Sequence, residues 1–80
     1  MSEIPIVDCR GLDCPMPILR IRLKLNELAP GDTLIAWCTD LSFRTDFARF
    51  CILSSVSPLD ITEYPDYTAY HIKVNDISHL

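Results

Sequence analysis

The chain has 80 residues, which predicts one domain (1–80) with little interior in which to enclose a substrate pocket. Its composition, with 49 % apolar and 22 % charged residues, is that of an ordinary globular protein. The net charge of −4 disfavours direct binding to nucleic acid, because phosphate-backbone affinity comes from Lys and Arg clusters. We find no pattern typical of a signal peptide or a membrane span, so we expect a cytoplasmic protein whose thiols stay reduced.

The first half of the chain predicts a strand, a helix and a second strand. Residues 4–9 are apolar and β-branched, as in a strand. Residues 18–28 fit both the alternation of a half-buried strand and the apolar spacing of a helix. We favour a helix because Leu, Arg, Lys and Glu are strong helix formers, and Pro30-Gly31 follows as a stop signal. Residues 33–39 are an apolar run without helical period, which predicts a buried strand.

The second half predicts another helix and a hairpin. Asp40 or Ser42 is suited to cap the helix. Its core face consists of phenylalanines at helical spacing together with a cysteine: Phe43, Phe47, Phe50 and Cys51. Residues 57–64 and 67–74 are rich in Ile, Thr, Tyr and Val, and Pro65-Asp66 between them indicates a hairpin. We expect the tail, 75–80, to be frayed.

The order β-α-β-α-β-β predicts an α/β fold, a two-layer sandwich. Its four-stranded mixed sheet would carry both helices on one face. Half-polar alternation in the last two strands would partly cover the other face, through Thr62, Tyr64, Tyr70 and His71.

The cysteines suggest where the chemistry lies. There are four of them: Cys9, Cys14, Cys38 and Cys51. A structural disulfide framework needs a secretory context, and zinc is disfavoured because the chain has no C-x-x-C pair and its two histidines are distant in sequence. We therefore predict neither a metal nor another cofactor. In the cytosol a cysteine usually packs as a small hydrophobe or reacts, and Cys38 is expected to pack.

Cys14 is the predicted reactive residue. It precedes two prolines at the start of the first helix, so we place it at the N-cap, with Pro15 at the first and Pro17 at the third helical position. The partial positive charge of a helix N-terminus favours a thiolate. The prolines would hold the thiol rigidly at an exposed corner, and Gly11 would give the preceding turn its freedom.

Four basic residues lie close to Cys14 in sequence: Arg10, Arg20, Arg22 and Lys24. They predict a positive patch for electrostatic or partner contacts, although they would serve equally well to solvate a helix face. No histidine or carboxylate partner for a Cys–His hydrolase is evident, and His71 is expected on the sheet face. A lone exposed thiolate without a pocket fits a carrier of sulfane sulfur better than an acyl-transfer enzyme.

The string Asp-Cys-Arg-Gly-Leu-Asp-Cys-Pro-Met-Pro at 8–17 resembles the signature of the TusA/SirA-like sulfur-carrier family. Residues 30–34 resemble the family's loop into its second strand, and Asp40 with Asp46, Phe50 and Cys51 resembles its second-helix segment. The similarity extends over 6–74. Two positions depart from the family pattern: Leu41 stands where many relatives have proline, and Cys9 occupies a position that is usually not cysteine.

The resemblance implies a two-layer α/β sandwich and a sulfurtransferase that carries a persulfide on Cys14. It implies a cysteine desulfurase or rhodanese-like protein as sulfur donor and a downstream sulfurtransferase as acceptor. The pathways it implies are tRNA thiolation, molybdenum-cofactor assembly and sulfur metabolism, with any tRNA contact made by the downstream partner.

Two alternatives stay open from the sequence. One is an interaction or regulatory module on the same fold, without sulfur transfer. The other is a thiol-redox sensor, in which Cys9 resolves an oxidised Cys14 as a disulfide. Against the second, Cys9 at the end of a strand is more simply interpreted as a residue that faces the core.

Overall fold

The computed structural model describes residues 3–75, so the predicted tail 76–80, with His79, lies outside the described residues. Six elements are present: β1 (Ile6–Cys9), α1 (Met16–Leu25), β2 (Thr33–Cys38), α2 (Leu41–Leu53), β3 (Val56–Glu63) and β4 (Thr68–Val74). This order confirms the β-α-β-α-β-β prediction, although α1 begins and ends earlier than the predicted 18–28. Within 3–75 no helix is long and apolar enough to cross a membrane.

The strands form one mixed sheet in the order β1-β2-β4-β3. β1 runs parallel to β2, with α1 as the connection between them, and the other two pairings are antiparallel. The hairpin between β3 and β4 turns at Pro65-Asp66, as predicted, where the Tyr64 N–H donates to the Tyr67 carbonyl at 2.8 Å. Because β1 and β2 are parallel neighbours, the loops that follow them leave the sheet at the same edge.

The core lies between the helices and one face of the sheet. Inward-facing residues alternate along the strands, as in Leu34, Ala36 and Cys38 of β2, which are at most 1 % exposed. The helices cover this face with residues at helical spacing: Ile21 of α1, and Phe43, Phe47, Phe50 and Cys51 of α2. The predicted phenylalanine core and the predicted burial of Cys38 are therefore confirmed.

Tyr70 corrects the predicted open face. It is 1 % exposed and belongs to the core, with its ring centroid 4.9 Å from that of Phe43 and 4.7 Å from that of Phe47. Neighbouring residues of a strand point to opposite faces, so Tyr70 and His71 cannot share one. Burial raises the pKa of the Tyr70 hydroxyl to about 12. The open face carries half-buried Trp37 instead.

Replacement of Cys38 by serine tests this core assignment. Cys38→Ser would bury a hydroxyl among apolar neighbours, so we expect it to lower the free energy of unfolding by about 1–3 kcal/mol. Cys14→Ser makes the same chemical change at an exposed position and is expected to stay within about 0.5 kcal/mol of the wild type. Urea unfolding of the three proteins measures both effects. Equal midpoints for Cys38→Ser and the wild type would contradict the packing described above.

Candidate functional site

The loop after β1 carries the predicted site. Gly11 has φ of +80°, in the left-handed region that favours glycine. The turn is closed by a hydrogen bond from the Leu12 N–H to the Cys9 carbonyl at 3.2 Å. The Gly11 N–H then donates to Oγ1 of Thr39 at 2.9 Å. This contact ties the loop after β1 to the end of β2.

Exposure separates Cys14 from the other cysteines. All four are free thiols, and Cys14 alone is exposed. The other three are at most 3 % exposed and face the core: Cys9, Cys38 and Cys51. Within residues 3–75, Cys14 is therefore the one thiol that a second protein can reach.

The start of α1 differs from the prediction. The N-cap is Pro15 rather than Cys14, Met16 is the first helical residue, and Pro17 is the second. The Cys14–Pro15 peptide bond is cis, and the Met16 N–H donates to the Asp13 carbonyl at 2.8 Å, which closes a turn over residues 13–16. The N-cap placement of Cys14 was wrong because this turn inserts one more residue before the helix. The first backbone donor of α1 is thereby used within the loop.

Asp40 holds the Cys14 loop in place. Its Oδ1 accepts from the Ser42 N–H at 3.1 Å and so caps α2, as predicted. Its Oδ2 accepts from the Cys14 N–H at 2.8 Å. The hydrogen bonds from the Ser42 N–H, the Ser42 hydroxyl and the Cys14 N–H hold the pKa of Asp40 below its usual value. The sequence indicated the cap, but it carried no signal for a bond between residues 26 positions apart.

Arg10 is engaged on the open face of the sheet. Its Nε and Nη2 donate to the two carboxylate oxygens of Asp8 at 2.9 and 2.8 Å, and these bonds lower the pKa of Asp8 to about 2. The guanidinium also lies over the rings of Trp37 and Tyr67, 4.9 and 5.5 Å from their centroids. Arg10 is thus held by strand residues, and its charge is matched by Asp8.

The other predicted basic residues lie on different sides of α1. Arg20 lines a shallow groove with Asp8 and Lys24, whereas Arg22 lines one with Asp46 of α2. Arg20 and Arg22 are two positions apart, which corresponds to a rotation of about 200° around the helix axis, so they cannot lie on the same face of α1. Among the described residues, no hydrogen bond or ion pair joins these arginines to Cys14. The structure thus places Arg20 and Arg22 on two sides of α1 rather than on one face.

The surface beside Cys14 is open. A shallow groove next to Asp40 is lined by Leu41, Arg44, Tyr64 and Tyr67, and Arg44 of α2 forms an ion pair with Glu63 at the end of β3. The described residues bring together no group of three His, Cys, Asp or Glu side chains that could hold a metal ion. The geometry leaves the thiol accessible to the surface of a second protein.

Comparison with known proteins agrees with this arrangement. The family model described as "Sulfurtransferase TusA" matches residues 6–75. The chain belongs to this family. It is 31 % identical to "Sulfur carrier protein TusA" of Pseudomonas fluorescens over 79 residues, which cover 95 % of each chain. It is 30 % identical to "Putative sulfur carrier protein YrkI" of Bacillus subtilis over 91 % of this chain and 97 % of the relative.

The two functions of the Asp40 carboxylate can be separated by substitution. Asp40→Ala removes both the helix cap and the acceptor for the Cys14 N–H, so we expect a stability loss of about 1 kcal/mol and faster hydrogen exchange at the Cys14 amide. Asparagine is also a good helix cap, so Asp40→Asn keeps that function. Its side chain has one acceptor oxygen, however, and its NH₂ group cannot accept, so the Ser42 N–H and the Cys14 N–H cannot each keep an oxygen of their own. Asp40→Asn should therefore restore stability while Cys14 exchange stays fast.

Urea unfolding and amide exchange followed by NMR measure these effects. Asp46→Ala, an aspartate substitution elsewhere on α2, serves as the matched control. An unchanged Cys14 exchange rate in Asp40→Ala would show that the bond between the loop and α2 does not hold the loop.

Proposed function

We propose that this TusA-family sulfur carrier holds sulfane sulfur as a persulfide on Cys14 and relays it from a donor protein to an acceptor protein. The observation that carries the proposal is the exposure of Cys14, when the other three cysteines are buried. A thiol that must meet two different proteins in turn has to be reachable from the surface.

The relay consists of two displacements at sulfur. In loading, the Cys14 thiolate attacks the outer sulfur of the donor persulfide, the donor's S–S bond breaks, and the donor thiolate leaves. In delivery, a thiolate of the acceptor attacks the outer sulfur now bound to Cys14, and the Cys14 thiolate is released. Each step forms one S–S bond and breaks another, so the complete relay needs no external oxidant or reductant.

The residues around Cys14 support this exchange by limiting backbone motion. Pro15 and Pro17 fix backbone φ on the helix side, and Gly11 provides the turn on the strand side. Asp40 holds the Cys14 amide between them. The thiol can then be presented to each partner with little loss of backbone entropy, which lowers the cost of docking.

The partners proposed are proteins. A cysteine desulfurase or a rhodanese-like protein would load Cys14, and a downstream sulfurtransferase in the cytoplasm would receive the sulfur, for tRNA thiolation, molybdenum-cofactor assembly or sulfur metabolism. Arg20 and Arg22 are exposed on the two flanks of α1 and are proposed partner contacts. The net charge of −4 argues against direct tRNA binding by this chain.

Intact-mass analysis tests the loading step. After incubation with a cysteine desulfurase and cysteine, the wild type should gain the mass of one sulfur atom, and a reductant should remove it. Cys14→Ser should gain nothing. Cys51→Ala is the matched control, because it removes a buried cysteine and should load like the wild type.

Two results would overturn the proposal. One is equal loading of folded Cys14→Ser, which would place the sulfur elsewhere. The other is no loading of the wild type either by the desulfurase or by inorganic polysulfide, which would leave an interaction module as the better description of this chain.

A further inference from the structure

A pair of buried thiols, Cys9 and Cys38, lies beneath the site. Cys9 ends β1 and Cys38 ends β2, and the two are direct partners in the parallel register. Both side chains point into the core, with exposures of 0 and 1 %. The relay described above uses neither of them.

The two thiols interact. A hydrogen bond from Cys38 lowers the pKa of Cys9, whereas the same contact, together with burial, raises the pKa of Cys38. The Cys9 thiol also donates to the carbonyl oxygen of Pro17, at 3.9 Å. These two directions favour Cys9 as the thiol of the pair that loses its proton first.

The backbone separation suits a disulfide. Neighbouring strands lie about 4.8 Å apart, inside the range of roughly 4.4–6.8 Å between the Cα atoms of bonded cysteines. Both Cβ atoms leave the same face of the sheet, and they need to come to within about 3.5–4.5 Å of each other.

We propose that Cys9 and Cys38 form a reversible disulfide when a peroxide reaches them. The Cys9 thiolate attacks the O–O bond of hydrogen peroxide and becomes a sulfenic acid, with loss of hydroxide, which takes up a proton to become water. The Cys38 sulfur then attacks the Cys9 sulfur, and the sulfenic oxygen leaves as a second water. Two thiols and one peroxide thus give one disulfide and two waters.

Access to these thiols comes through the edge of the sheet. β1 is an edge strand of four residues, and it is bonded to β2 alone. Local opening of such a short edge costs less than global unfolding and admits a small oxidant. Cys38, rather than Cys14, is the thiol directly opposite Cys9, so the structure moves the redox pair considered from the sequence into the core.

The position of this pair links it to the site. The residues after Cys9 and Cys38 lead into the two loops joined by the Gly11–Thr39 and Cys14–Asp40 hydrogen bonds. A disulfide would therefore link the ends of β1 and β2 covalently, next to the loop that carries Cys14. The inference does not depend on sulfur transfer by Cys14.

Peroxide treatment of Cys14→Ser tests the proposal, because this variant lacks the exposed thiol. The native protein is oxidised, then denatured and alkylated, and its mass and linked peptides are determined. We expect the loss of two hydrogens, one alkylated cysteine instead of three, a link between the peptides of Cys9 and Cys38, and reversal by dithiothreitol.

Cys14→Ser/Cys51→Ala should still form the link, and Cys14→Ser/Cys38→Ala should not. The first double variant keeps the test valid even if the second fails to fold. The proposal is overturned if native Cys9 and Cys38 both remain alkylatable at peroxide doses that fully oxidise Cys14 in the wild type. It is also overturned if the link forms only after oxidation in urea.

Discussion

The candidate site depends on one carboxylate that serves two segments of the chain. One oxygen of Asp40 caps α2, and the other accepts the N–H of Cys14 at 2.8 Å. This is possible because β1 and β2 are parallel neighbours, so that their following loops meet at one edge of the sheet. Cys14, the proposed reactive residue, is therefore held through its backbone, while its side chain stays exposed.

The same topology assigns different chemistry to four identical side chains. Strand alternation turns Cys9 and Cys38 into the core, and helical spacing does the same for Cys51. Cys14 escapes burial because it lies in the loop between β1 and α1. Burial removes three thiols from contact with large reactants, so the proposed selection of Cys14 as the carrier residue needs no pocket. It also places Cys9 and Cys38 side by side in the core, out of reach of a second protein.

Local periodicity predicted most of the fold. The spacing of Phe43, Phe47 and Phe50, the capping residue Asp40 and the turn at Pro65-Asp66 are signals within a few residues, and all are confirmed. The predictions that were wrong depend on contacts between distant segments or on the detailed geometry of a turn, which local periodicity does not show. Tyr70 faces the core because neighbouring strand residues alternate between faces, so it cannot share the open face with His71. The N-cap of α1 is Pro15 rather than Cys14 because a turn closes over 13–16. The Cys14–Asp40 bond arises only from the pairing of β1 with β2, which neither loop encodes locally.

The most direct measurement of the central claim is the location of transferred sulfur in the unmodified chain. The wild type would be loaded by a cysteine desulfurase from cysteine radiolabelled at sulfur, then digested without reductant, and its peptides would be assigned by mass. If Cys14 carries the sulfur, label is expected in the peptide that contains Cys14 and in no other, and dithiothreitol should release it completely. The claim would be contradicted by label on a peptide that contains Cys9, Cys38 or Cys51. It would also be contradicted if the desulfurase carried labelled persulfide sulfur while this chain stayed unlabelled.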